Sequence, residues 1–172
     1  YYILAPAEAS SNLSRFDGIR YGPRQAHTDL DSLYTQNRTL GFGEEVKRRI
    51  LMGTYCLSAG YYDAYYRKAL QHQASLRDKL SQIFGSFDLI LLPTAPDIAP
   101  KIGASTDPMK MKLSDIYTVL ANLTGVPAIS VPCGLSRGMP MGAQLMAPHW
   151  REDRLISAGE TLEKAFGRFR SY

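Results

Sequence analysis

Between Tyr61 and Phe84 the positions Tyr62, Tyr65, Ala69, Gln73, Leu76, Leu80 and Ile83 recur every three or four residues. A helix of 3.6 residues per turn gathers that spacing into one stripe, and Gly85 and Ser86 end it. FDLILLPTAP follows at once, a continuous apolar run closed by prolines, which reads as a buried strand in a sheet covered on both faces. A long amphipathic helix leading into such a strand commits the chain to helices packed on a sheet. The other segments agree. YYILAPAEASSNLS reads as an Ala-rich helix that Pro6 either kinks or begins, and FDGIRYGPRQ as a loop. DLDSLYTQNR reads as a short helix capped by Asp29 or Asp31, separated by Gly41 and Gly43 from a helix over about 44–58. Residues 97–112 read as irregular loop, and SDIYTVLANLTG as a helix with Ser114 as cap and Gly125 as stop. PAISVPCG and MGAQLMAP form a hairpin through LSRGMP. In DRLISAGETLEKAFGRFR, Leu155, Ala158, Leu162, Ala165 and Phe169 share a helical face, and the terminal arginines suit the negative helix pole. The expected class is α/β, a mixed β-sheet covered by helices, within one domain over residues 1–172.

A chain of 172 residues can bury roughly 70% of the surface it exposes unfolded, so a sizeable core is available. No uncharged apolar run approaches the ~20 residues of a membrane span. The net charge of +4 is modest and its 20 Lys and Arg are spread along the chain, a weak case for nucleic acid and none for a membrane surface. Cys56 and Cys133 lie far apart without CxxC spacing, and His27, His72 and His149 are scattered, so metal and disulfide frameworks fall away. The chain has no signal-peptide pattern, which points to the cytoplasm. It opens on YYILA without an initiator Met and reads as a piece of something longer.

GFGEEVKRRILMG places two arginines together in a helix. On a wheel of about 100° per residue, Val46, Ile50, Gly53 and Leu57 share a face, Arg49 lies roughly 60° from Val46 and Arg48 roughly 160° away. Gly53, and Gly60 on the same side, remove bulk there at roughly 1 kcal/mol each against Ala, leaving room for a neighbouring backbone or a ligand. Arg49 can pair with a structural carboxylate, or present its fork to the carboxylate of a ligand. Arg48 reads as surface. Asp115, expected in a first helical turn, can complement the helix dipole or accept hydrogen bonds from an ammonium group.

YYILAPAEASSNLSRFDGIRYG, GFGEEVKRRILMGTYCLSAGYYDAYYRKA, FDLILLPTAP and NLTGVPAISVPCG, in that order, resemble the C-terminal half of the amidase signature family. Within it they are most similar to the glutamine-hydrolysing A-type subunits of tRNA-dependent amidotransferases. The resemblance implies hydrolysis of glutamine to glutamate and ammonia, which a partner subunit uses to convert Glu-tRNA(Gln) to Gln-tRNA(Gln). It implies B-type and C-type partner subunits in a heterotrimer, free glutamine as substrate, misacylated tRNA bound through the complex, and ATP and Mg at the partner. It assigns the α-carboxylate of glutamine to Arg49, the amino group to Asp115, and a place in the pocket to Tyr1. Family members cut the amide with two serines and a lysine from an upstream glycine- and serine-rich segment. No such segment occurs in residues 1–172, so no catalytic residue is assigned here and the fragment alone is expected to be inactive.

Ser10 and Ser11 lack flanking glycines and a nearby lysine, and capping or a turn at the first helix's end explains them better. Cys56 and Cys133 read as packing. Tyr61, Tyr62, Tyr65 and Tyr66 suggest core or interface packing more than a base-stacking platform. Two other functions stay open: a related amidase for simple carboxamides, and a non-catalytic RNA-binding module.

Overall fold

The computed structural model of the protein describes residues 1–24, 26, 29–103 and 112–167. It divides into two units, Tyr1–His72 and Gln73–Tyr172.

In the first unit, helix α1 spans Leu4–Leu13 with Pro6 in its first turn, where a missing N–H forfeits no helical bond. Helix α2 (Leu30–Gly41) is capped by Asp29, whose Oδ1 accepts from the Ser32 amide at 2.8 Å, while Asp31 sits inside the first turn. Gly43 then opens helix α3 (Glu44–Leu57). Helices α1 and α3 pack against each other at Gly53, where an added Cβ would overlap the Pro6 carbonyl and reach Ser10 Oγ at 2.8 Å. The room at Gly53 is therefore filled by neighbouring backbone. Gly60 lies beyond the end of α3, with nothing within 4 Å of its Cβ position, so it does not extend that contact. Cys56 is buried, as its place among apolar neighbours suggested.

The expected single helix from Tyr61 begins differently. Tyr62–Arg67 is π-helical, and α4 proper runs Lys68–Phe84. A spacing of three and four cannot separate the two windings, because over so short a length both keep residues about four apart on one stripe. The tyrosines are partly exposed and not core: Tyr61 stacks on Tyr55 at 4.1 Å between centroids, and Tyr62 lies 5.2 Å from Tyr66.

In the second unit, strands β1 (Ile90–Pro93), β2 (Ala128–Ser136) and β3 (Met139–Met146) form a sheet in the order β1-β3-β2. Helix α5 spans Thr118–Thr124 and helix α6 Glu152–Phe166. The α/β class stands, with both described strand pairings antiparallel. The β2–β3 hairpin turns at Arg137 and Gly138, both at positive φ, the two-residue geometry that matches strand twist. One sheet face packs Met146, Ile90 and Leu92 on Leu80 and Phe84 of α4 and Leu120 of α5. The other packs Leu145 and Ile129 on Leu155, Ala158 and Leu162 of α6.

Helices thus cover both faces, but β1 is not buried on both. Leu91 pairs with Leu145 on the α6 side yet remains 59% exposed, because α6 lies chiefly over β2, two strands away. Ala165 is exposed, and Phe169 and the terminal arginines lie outside the described residues. So do residues 104–111 of the expected loop. The helix expected from Ser114 is interrupted: residues 112–114 are helical, 115–117 form a turn, and α5 starts at Thr118, with Gly125 at φ 75° ending it. Ser114 is therefore not the cap of α5, and Asp115 precedes its first turn.

Candidate functional site

Glu44 and Glu45 open α3, where carboxylates are favoured by the exposed N–H groups of the first turn. Glu45 stands three and four residues before the paired arginines, within side-chain reach on one helix surface. Its carboxylate accepts from Arg48 Nε and Nη2, both at 2.8 Å, and from Arg49 Nε at 2.8 Å. Hydrogen bonds from Arg48 first, then Arg49, hold the Glu45 carboxyl well below its ordinary value, at about 2. Reciprocally, the bond to Glu45 raises Arg49.

Arg48 grips Glu45 through two nitrogens, whereas Arg49 uses Nε alone. Among the described residues, the terminal nitrogens of Arg49 donate to no acceptor. Their pairing edge is open for a planar two-oxygen anion, the arrangement in which a guanidinium forms two parallel hydrogen bonds. Arg49 is accordingly not sunk into the apolar face; its side chain is 45% exposed against 54% for Arg48, since both arms bend back to one glutamate. Sequence reasoning missed Glu45, although EEVKRR carried the signal in its spacing of three and four.

Tyr1 precedes α1, and the approach of α1 to α3 at Gly53 brings the two within electrostatic range. The Tyr1 phenol adds a smaller charge effect on Arg49, after Glu45. The Tyr1 ring is partly exposed and meets Tyr2 edge to face at 5.2 Å. Two of the three residues assigned from the sequence therefore share one end of the first unit.

Asp115 belongs to the second unit. Its exposed carboxylate accepts from Ser114 Oγ at 3.4 Å, and its carbonyl accepts from Val119 N at 2.9 Å and Thr118 Oγ1 at 3.1 Å. It heads the turn into α5 with its side chain left to solvent. That turn is tied to the sheet by Gln144, 4% exposed on the central strand, whose Nε2 donates to Tyr117 O at 3.1 Å.

The remaining nucleophile candidates are occupied structurally. Ser10 Oγ and Ser11 Oγ both donate to Ala7 O, at 2.8 and 3.3 Å, back-bonding within α1 in place of capping its end. Cys133 is half-buried in β2. No group of three or more His, Cys, Asp or Glu among the described residues could hold a metal ion, and no described helix is long and apolar enough to cross a membrane.

The sequence pattern of the amidase family matches residues 1–156. The A-type subunit of glutamyl-tRNA(Gln) amidotransferase from Halothermothrix orenii is 50% identical over 167 residues, 96% of this chain and 35% of that protein. Its counterpart in Caldanaerobacter subterraneus is 52% identical over 96% of this chain and 34% of its own length. The crystal structure of the corresponding glutamyl-tRNA(Gln) amidotransferase chain from Thermotoga maritima superposes with a TM-score of 0.60 at 35% identity, over 91% of this chain and 37% of that one. An amidase crystal structure at 22% identity gives a TM-score of 0.73 and shares the fold. The chain spans about a third of the length of the curated relatives it matches.

Proposed function

The chain belongs to the amidase family, and on that premise we propose that it is the substrate-recognition portion of a glutamine-hydrolysing amidotransferase subunit. The observation that carries this reading is identity of about half, over 96% of the chain, to the A-type subunits of glutamyl-tRNA(Gln) amidotransferases. Glutamine is split to glutamate and ammonia, and the ammonia passes to a B-type partner that converts Glu-tRNA(Gln) to Gln-tRNA(Gln), a C-type subunit completing the heterotrimer in the cytoplasm. ATP and Mg belong to that partner's step. Both units form part of one amidase domain.

Within this chain the work is recognition. Arg49 offers the open edge of its guanidinium to the α-carboxylate of glutamine, with Glu45 on Nε fixing the plane of the fork. Tyr1 lines the pocket beside it. Asp115 accepts hydrogen bonds from the α-ammonium group. The attacking serine and its activating serine and lysine come from a part of the enzyme outside residues 1–172.

Arg49→Ala in the full-length protein, assembled with its partners, tests the reading. The KM for glutamine rises roughly 10- to 100-fold, the equivalent of one to two charge-assisted hydrogen bonds, while hydrolysis of a simple neutral carboxamide is unchanged. Equal losses on both substrates would return the chain to the simple-carboxamide amidases.

A further inference from the structure

Gln144 is a polar side chain in an otherwise apolar run, LM and AP following it and MGA preceding it. It sits on the middle strand, opposite Leu92 of β1 and Ser130 of β2, on the sheet face that α4 and α5 cover. Burying an amide there is unfavourable unless it is hydrogen-bonded. Its Nε2 donates to Tyr117 O, two residues after Asp115. The 115–117 turn is held from the other side by its own helix, through the bonds from Val119 N and Thr118 Oγ1 to the Asp115 carbonyl. Gln144 supplies the tie from that turn to the sheet.

We propose that Gln144 is a positioning residue for amino-acid recognition: its buried amide pins the 115–117 turn to the central strand and so holds the Asp115 carboxylate in place for an ammonium group. This rests on the reading of Asp115 given above. Carbonyl oxygens only accept, so a replacement must donate at the same reach to substitute for the amide. Gln144→Met keeps the volume and removes the donor. Gln144→Asn keeps the donor but withdraws it by one methylene, and serves if the Met variant fails to fold.

The test uses the full-length protein in its complex, with glutamine as substrate and glutarate monoamide, which has the carboxylate and amide but no α-amino group, as competitive inhibitor. Each Gln144 variant raises the KM for glutamine at least roughly tenfold, leaves kcat within about threefold, and leaves the inhibition constant of the monoamide unchanged. Combining either variant with Asp115→Asn adds no further rise, as expected of two residues acting as one unit. A purely structural role would weaken both compounds together, and that result, or an unchanged glutamine KM, overturns the proposal. If Asp115→Asn alone leaves the glutamine KM unchanged, the reading of Asp115 fails and the positioning role falls with it. If Asp115→Asn discriminates between the two compounds and the Gln144 variants do not, the positioning role alone is wrong.

Discussion

Glu45 receives hydrogen bonds from two consecutive arginines and shares itself unequally between them. Arg48 is spent on the carboxylate, whereas Arg49 keeps its terminal edge. Glu45→Gln should therefore loosen the fork without deleting it. The expected rise in glutamine KM is roughly two- to fivefold, the modest effect of a solvent-screened ion pair, at unchanged kcat in steady-state assays. The pH dependence follows from the depressed carboxyl. A carboxylate lowered from 4.5 to about 2 contributes stability that is fully present above pH 4.5 and is lost as the pH falls toward 2. Carbon-detected NMR titration should find Glu45 near 2 in the wild type and closer to 4.5 once both arginines are Ala; an unshifted value in that double variant would remove the clamp as the cause. Sequence spacing made Arg49 a candidate, but an angle on a wheel could not choose between an inward and an outward arm. The choice fell to Glu45, a neighbour whose bond bends the side chain outward.

The packing of α1 on α3 depends on one missing Cβ. Gly53→Ala would drive a methyl group into the Pro6 backbone, which cannot rotate away, so about 2 kcal/mol or more should be lost and the melting temperature should drop by several degrees. Gly60→Ala meets nothing and should stay within about 0.5 kcal/mol of wild type in the same calorimetric scan. Equal effects at the two glycines would contradict the close approach. Because Tyr1 leads into α1, the Gly53 variant should also raise the glutamine KM. At this scale the caps and stops were legible: Asp29, Pro6, Gly85 and Gly125 act through their own backbone, and local chemistry reads locally. The π-helical start at Tyr62 and the break at 115–117 were not. The first sits beside the Tyr55–Tyr61 ring stack, which a spacing of three and four does not reveal, and the second is bonded to Gln144, a partner distant in sequence.

Over the whole molecule, the residues proposed for recognition fall in different units, Arg49 and Tyr1 in the first and Asp115 in the second. A polypeptide of residues 1–172 should release no ammonia from glutamine, because its hydroxyls at Ser10 and Ser11 are bonded to a helix carbonyl and no bond to a lysine activates them among the described residues. A direct ammonia assay checks this, and turnover at the rate of the full-length protein would refute the division of labour. The order of the main helices and strands, the β2–β3 hairpin and a sheet with helices on both faces were determined by the sequence itself, since periodicity and turn residues record which face of each element avoids water. Tertiary structure alone decided that β1 keeps Leu91 exposed, that backbone and not ligand fills the space at Gly53, and that a buried glutamine holds the Asp115 turn. Each of these turns on whether segments far apart in the chain meet, and such meetings leave no periodic trace along it.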